Sequence, residues 1–193
     1  MHRWGLLAIG TCWAQAVIAA PPAPNDFLPC TPGLSVTYAF YDAAGQDRGV
    51  RQIDRIRGPG QDPKTCVIDQ ETRFGDGRVE KDAWVREHLE DRILNAGWLS
   101  TMTAFRPPLL IGPLSAGKRW VFNRTSFTIA EIGTTFDVPA GTFDGCLRVV
   151  ESSVPPGAHT AWLVYAPGVG LIAAEHNGRL RRAIEVRTPA VKR

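Results

Sequence analysis

The side chains best suited to chemistry in this sequence are its histidines, and their spacing gives no sign of a metal site. His88, His159 and His176 stand apart, and only His176 has a neighbouring carboxylate, Glu175. Adjacent residues on a strand point to opposite faces, so this pair cannot readily hold one ion. A zinc site needs three or four ligands with at least one close pair. We predict no metal and no cofactor.

Acyl-transfer and glycosidase chemistry also lack a signature. The chain contains no G-x-S-x-G motif. Pairs of carboxylates, such as Asp137 with Asp144, occur by chance in any β protein, and two carboxylates are all that glycoside hydrolysis needs. We therefore predict that the protein is not an enzyme. A hydrolase that combines one of the histidines with carboxylates in a cleft is the third alternative.

The cysteines predict one disulfide. Cys30, Cys66 and Cys146 follow an apolar N-terminal run over residues 4–19 that predicts export, and the oxidising compartment outside the cytoplasm favours one bond among them. In a meander, Cys30 before the first strand and Cys66 at the start of the third lie at the same end of the sheet. We predict a Cys30–Cys66 bond, with a bridge to Cys146 as the alternative. The chain has no C-x-x-C spacing that would indicate a catalytic thiolate.

The aromatic residues, unlike the groups above, indicate a site that binds an apolar ligand. Pockets are mostly apolar and occur in the mouths of β-barrels. The same rings serve equally well to fill a core, which is the alternative. The four residues that we predict to line a pocket are Trp120, Phe122, Trp162 and Tyr165.

The N-terminus predicts export. Arg3 precedes an apolar, uncharged run over residues 4–19, which is typical of a secretory signal peptide. We predict a signal peptide over 1–19 with cleavage near Ala19 and a periplasmic or extracellular location. Polar residues dilute the run below the roughly 20 apolar residues that span a bilayer, and we predict no transmembrane segment in the mature chain.

Charge and length indicate one domain without a nucleic-acid partner. The net charge is +3, and basic residues alternate with acidic ones. The mature chain of about 174 residues is long enough for one core. We predict a proline-rich extended lead-in over 20–33, a single antiparallel β domain over 34–188 and a tail over 189–193.

Short segments separated by turns predict a sheet. Three strands over 34–42, 50–56 and 65–74 are separated by the turns AAGQDRG and GPGQDPK. Pro107 and Pro108 restrict 105–113 to an edge or a crossing segment. The last third predicts strands over 119–132, 134–138, 146–153, 160–165, 170–175 and 179–187, and Asn177-Gly178 is a strong hairpin signal.

One stretch permits two structures. Val85, Leu89, Ile93 and Ala96 recur at spacings of four, four and three, which is typical of a helix that would cover the sheet at about 80–97. The same residues divide into strands over 83–88 and 92–98 around a turn. Both alternatives remain open. The fold class in either case is mainly β, a single strongly curved antiparallel sheet or a partly open barrel.

Three motifs in the last 80 or so residues resemble a known family. PLSAGKRW (113–120), VPAGTFDGCL (138–147) and YAPGVGL (165–171) occur in this order. The pattern is similar to an uncharacterised family of bacterial exported proteins, called TapB-like or domains of unknown function. The resemblance implies a single β-rich exported domain, with a strand pair over 79–98 and no catalytic residues. A curved half-barrel like that of lipoprotein carriers is an analogy to this outline.

These observations together predict a non-enzymatic exported β protein. Its partner would be an apolar small molecule, a lipid or an envelope protein, held in the concave face of the sheet. A structural or interaction module of the envelope without a ligand is the alternative.

Overall fold

The structure is a computed structural model that describes residues 21–101, 106–154 and 160–189. The predicted signal peptide over 1–19, its cleavage site, His159 and residues 190–193 of the predicted tail lie outside these ranges. Within the described part of the chain, no helix has the length and apolar character needed to cross a membrane.

In the described ranges twelve strands form one antiparallel sheet that is nearly closed into a barrel, which confirms the predicted fold class. Two short helical turns, α1 (Pro24–Phe27) and a 3-10 turn (Leu99–Thr101), accompany them. The strands are β1 (Ser35–Tyr41), β2 (Asp47–Pro59), β3 (Thr65–Arg73), β4 (Val79–His88), β5 (Arg92–Trp98), β6 (Pro108–Ile111), β7 (Arg119–Phe122), β8 (Thr125–Val138), β9 (Gly141–Ser153), β10 (Thr160–Ala166), β11 (Gly170–His176) and β12 (Arg179–Arg187).

The sheet consists of two six-stranded meanders joined side by side. Its order is β6-β5-β4-β3-β2-β1-β12-β11-β10-β9-β8-β7, so β1 and β12 pair at the centre while β6 and β7 form the two edges. The predicted edge position of the Pro107-Pro108 segment is confirmed by β6. Residues 112–118 connect one edge to the other, and the Lys118 ammonium donates hydrogen bonds to the carbonyls of Gly112 and Pro113 within this connection.

The stretch over 79–98 is a hairpin, the alternative that the motif resemblance implies, and the alternative of a covering helix at about 80–97 is wrong. β4 and β5 pair antiparallel, with a bulge between Val85 and Arg86. The Leu89 N–H donates to the Arg92 carbonyl at 2.9 Å and closes the turn. Val85, Ile93 and Ala96 are buried as strand residues. Their helical spacing arises because a short turn separates two strands that each bury apolar side chains.

Three predicted strand boundaries are also wrong in the second meander. One is the break predicted between 119–132 and 134–138, which β8 (Thr125–Val138) spans without interruption. The segment predicted over 119–132 is divided between β7 and β8, because Asn123 and Arg124 adopt positive φ angles of 45° and 64° and reverse the chain. β9 begins at Gly141 rather than at Cys146. The turn over 139–140 is therefore shorter than predicted, and β8 and β9 pair along most of their length.

The N-terminal segment fills part of the barrel interior. The lead-in was predicted to be extended, but it contains the helical turn α1, which Pro24 can begin because the first helical position needs no amide donor. Phe27 and Leu28 are buried in a cluster with residues of both meanders, including Ile93 and Leu147. This segment, rather than a helix over 80–97, covers apolar surface of the concave face.

The disulfide holds this segment in place. Cys30 and Cys66 are bonded, as predicted, with their Cα atoms 5.7 Å apart. Cys66 is fully buried on β3, so the bond anchors the end of the N-terminal segment to the wall of the barrel. Cys146 is a buried free thiol.

Candidate functional site

A cavity of about 300 Å³ lies within the concave face of the sheet. Its walls come from β1 to β6 on one side and from β10 to β12 on the other, and Leu28 of the N-terminal segment closes part of it. Most of the lining is apolar. The apolar side chains are Leu28, Leu34, Val36, Ile56, Ile68, Trp84, Trp98, Leu109, Leu163, Val169 and Leu171.

Side chains alternate between the two faces of each strand, which explains why these residues line one cavity. Residues two apart on a strand share a face, and β2 accordingly presents Gln52, Asp54 and Ile56 to the cavity. The ladder pairs Asp54 with Gln70 of β3, and Ile56 with Ile68. The wall formed by β2 and β3 therefore changes from polar at one end to apolar at the other.

One polar network occupies the β1, β2 and β3 wall. Asp54 Oδ1 accepts hydrogen bonds from the side-chain amides of Gln52, at 2.8 Å, and Gln70, at 3.2 Å. The Arg181 guanidinium of β12 donates to Gln52 Oε1 at 3.4 Å and lies 4.8 Å from the centre of the Tyr38 ring. Among the described residues Asp54 is the single carboxylate of the cavity, and two neutral amides donate to its Oδ1.

Two tyrosines contribute neutral hydroxyl groups. Tyr38 and Tyr165 are buried and both line the cavity. The Tyr38 hydroxyl donates to the Leu171 carbonyl at 2.8 Å. Burial raises the pKa of Tyr38 far above its usual range, and the negative charge of Asp54 acts in the same direction. Burial likewise raises the pKa of Tyr165. Neither group ionises near neutral pH.

Arg86 is the most unusual group in the cavity. Its side chain on β4 belongs to a residue that is only 4% exposed. One terminal nitrogen donates a long hydrogen bond of 3.4 Å to the Pro29 carbonyl, and the guanidinium carbon lies 5.4 Å from the centre of the Trp84 ring. Its Nε has no hydrogen-bond partner among the residues that the structure describes. Burial lowers the pKa of Arg86 to about 10, so the group stays charged at neutral pH.

His88 lies two residues further along the same strand. Its Nδ1 is 2.8 Å from Asn25 Oδ1, and its Nε2 is buried with no hydrogen-bond partner in the described part of the chain. Burial lowers the pKa of His88 to about 4, and the positive charge of Arg86 adds to the effect. The ring is therefore neutral at neutral pH. His176 is exposed at the end of β11. In the described ranges no three residues among His, Cys, Asp and Glu are placed to hold a metal ion.

The structure places the four predicted pocket residues in different surroundings. Tyr165 lines the cavity and belongs to the same buried cluster as Trp120. Trp120 stacks on Phe127, with ring centres 5.3 Å apart and planes within 4° of parallel. Trp162 packs against Phe136 in a second cluster, and Phe122 ends the edge strand β7. The described cavity is lined instead by Trp84 and Trp98 among the tryptophans.

Comparisons with known proteins show a shared fold. No protein-family model and no curated protein matches this sequence. A protein from Bacteroides fragilis, named as an exported protein with a YmcC-like fold, superposes with a TM-score of 0.56 at 12% identity, over 82% of this chain and 97% of that chain. A protein from Parabacteroides distasonis, named as a lipoprotein, superposes with a TM-score of 0.52 at 18% identity and the same coverage.

At these identities the similarity shows the fold alone. The described part of the chain therefore belongs to the class of β proteins that form one nearly closed, twelve-stranded antiparallel sheet, and its fold is similar to the YmcC-like fold. The resemblance of the three motifs to TapB-like exported proteins stays a prediction.

Proposed function

We propose that this protein is a non-enzymatic exported binding protein that holds an apolar ligand or lipid in the cavity of its sheet. The observation that supports the proposal most directly is the cavity of about 300 Å³ with its mainly apolar walls. A volume of about 300 to 1,000 Å³ is typical of small-molecule sites, which are usually apolar with a few placed polar groups. This cavity lies at the lower end of that range.

Export is supported by three independent features. The sequence begins with the pattern of a signal peptide. Cys30 and Cys66 are bonded, and disulfides persist mainly in oxidising compartments. The two structures with a similar fold are named as an exported protein and as a lipoprotein.

The non-enzymatic role is supported by how the titratable groups are used. Asp54 is engaged by two amides, and burial keeps Tyr38 protonated. His88 contacts an amide rather than a carboxylate. A general acid or base would need a pKa near the working pH and a neighbour that orients it.

A second function, that of an envelope interaction module, is favoured by the open edge at β7. This strand ends the sheet, and its Val121 is 64% exposed. Edge strands can pair with an extended segment of another protein. Envelope extract passed over wild-type protein and over Val121→Lys protein would test this role. Capture of a partner by the wild type alone would support it, and no difference between the two would contradict it.

The ligand-binding function is tested with a neutral fluorescent probe, N-phenyl-1-naphthylamine. We expect fluorescence enhancement and saturable binding by the wild-type protein. Leu163→Trp places an indole at the cavity wall and should weaken binding about 10-fold by occupying the site. Val121→Trp adds the same indole on the exposed edge and should bind as the wild type does. Absence of saturable binding, or equal binding by both variants, would contradict the proposal.

A further inference from the structure

We propose that the ligand carries an anionic head group, a carboxylate or a phosphate, on an apolar chain, and that Arg86 binds the anion. This inference rests on the proposed ligand-binding function and specifies the chemical class of the ligand.

The described lining of the cavity contains more positively charged groups than negatively charged ones. Among the described residues, its lining contains two guanidinium groups, Arg86 and Arg181, and one carboxylate, Asp54. Asp54 accepts its hydrogen bonds from Gln52 and Gln70 rather than from an arginine. Arg181 is engaged by Gln52 and by the face of Tyr38. The cavity therefore carries an excess positive charge. Each guanidinium has one long hydrogen bond and one ring contact, but Arg86 is the one that is buried with an unpartnered Nε within the described ranges.

Most N–H donors of the Arg86 guanidinium have no acceptor among the described residues. A guanidinium carries five N–H donors, and the contacts of Arg86 within the described residues are one long bond to the Pro29 carbonyl and the face of Trp84. Within the described ranges its Nε is buried and unpartnered, and no carboxylate lies within ion-pair distance of the side chain. The negative charge of Asp54 acts on the guanidinium only from a greater distance. Burying a charge without an ionic partner is unfavourable. A bound anion would supply that partner by accepting two parallel N–H bonds.

The surroundings of Arg86 suit an amphipathic ligand. Trp84 shares its strand face, and Ile68 pairs with Trp84 across the ladder. On the opposite wall Leu163 and Leu171 are apolar. A head group at Arg86 would thus leave an attached hydrocarbon chain in contact with apolar side chains. A free inorganic anion would leave that apolar volume unfilled, which favours an amphiphile.

Isothermal titration calorimetry with three ligands of equal chain length tests the proposal. Dodecanoate and dodecyl phosphate carry the anion, and dodecanol does not. Hydrogen bonds to a charged partner correspond to about 10-fold or more in affinity. We expect the wild type to bind one or both anionic ligands about 10-fold or more tightly than dodecanol. The tighter of the two identifies the head group. Equal affinity for dodecanol and for both anions would overturn the proposal.

Two variants and one control assign the anion to Arg86. Arg86→Met keeps the length of the side chain and removes the charge, so it should lose the preference for the anion while still binding dodecanol. Arg86→Lys should retain part of that preference. Arg57→Met makes the same change on an exposed residue paired with Asp69 and should behave as the wild type. An unchanged preference in Arg86→Met would overturn the assignment.

Thermal unfolding separates binding from a purely structural role. Because the buried guanidinium lacks an ionic partner, Arg86→Met should unfold at the same temperature as the ligand-free wild type or at a higher one. A large loss of stability in that variant would favour a structural role for Arg86. Binding of the neutral naphthylamine probe, measured in parallel, reports the cavity itself. If the probe binds but no anion is preferred, only this inference fails, and if nothing binds, the proposed function fails with it.

Discussion

Cys66 and Arg86 face each other across the ladder between β3 and β4. The disulfide partner of Cys66 is Cys30, and the residue before Cys30 is Pro29, whose carbonyl accepts the hydrogen bond from Arg86. The covalent anchor of the N-terminal segment and the buried guanidinium are therefore neighbours on one wall of the barrel. Loss of the anchor would free the segment that closes the cavity beside Arg86.

We expect removal of the disulfide to destabilise the protein substantially. The bond closes a loop between positions 36 residues apart, which corresponds to about 4 kcal/mol of chain entropy, with about 2 to 4 kcal/mol usually observed. In urea denaturation, the Cys30→Ala/Cys66→Ala variant should have an unfolding free energy about 2 to 4 kcal/mol lower than that of the wild type. A reducing agent should destabilise the wild type and leave the double variant unchanged. An unaltered midpoint in the double variant would contradict the anchoring role.

We expect His88 to make the protein less stable in mild acid. The pKa of His88 is lowered to about 4 in the folded state by burial, against 6.5 for the free side chain. The unfolded chain therefore binds a proton before the folded one, and stability falls as the pH drops from about 7 to about 4 and levels off below that. Because the ring is only partly buried, screening by solvent limits its contribution to about 1 kcal/mol.

The measurement compares wild type with His88→Gln by urea denaturation at several pH values. The other titrating groups act alike in both proteins, so the difference between the two curves isolates His88. We expect the variant to lose less stability than the wild type on acidification. Parallel curves would show that the histidine does not titrate as inferred.

We expect a large-to-small substitution in the core between the two meanders to lower the free energy of unfolding. Ile172 on β11 has no exposed surface and packs in the cluster that joins β1 to the second meander. Replacement of a buried isoleucine by alanine usually costs about 2 to 5 kcal/mol. Ile172→Ala should fall in that range in chemical denaturation, whereas Val121→Ala on the exposed edge should change stability by less than about 0.5 kcal/mol. Similar losses in both variants would argue against this core.

The hairpin between β11 and β12 should depend on the glycine of its turn. Asn177 and Gly178 adopt positive φ angles of 51° and 78°, and a Cβ on Gly178 would lie 3.2 Å from Ala43 Cβ. Positive φ costs a residue with a side chain roughly 1 to 2 kcal/mol, so Gly178→Ala should lower thermal stability. Asn177→Gly is the control and should be close to neutral, because glycine adopts this conformation readily. A neutral Gly178→Ala variant would contradict the turn geometry.

The fold was predictable because it depends on local signals. Alternating side chains and turn residues such as Asn177-Gly178 mark strands directly. The segment over 79–98 was not decided by its own sequence, since a short turn gave Val85 and Ile93 a helical spacing. The segment forms strands because β4 pairs with β3, where Cys66 lies opposite Arg86 and Ile68 lies opposite Trp84. This long-range pairing is not visible in the local sequence.

The site was less predictable because it depends on which face of each strand points inward. Tyr165 was predicted from its type, but Gln52, Asp54 and Arg86 were not, since polar residues on a strand usually face solvent. A signal existed in β2, where Gln52 and Asp54 share the face of the apolar Ile56. Arg86 likewise lies two residues after Trp84, and both line the cavity, but one tryptophan does not show which face of β4 points inward.

The central claim, that the cavity holds an amphipathic ligand, is tested most directly by native mass spectrometry of the mature protein purified from its own host. We predict an additional mass on the wild-type protein that is released as an acidic amphiphile, and reduced occupancy in Leu163→Trp. A single ligand-free mass for the wild type, under conditions that preserve the folded charge states, would contradict the claim.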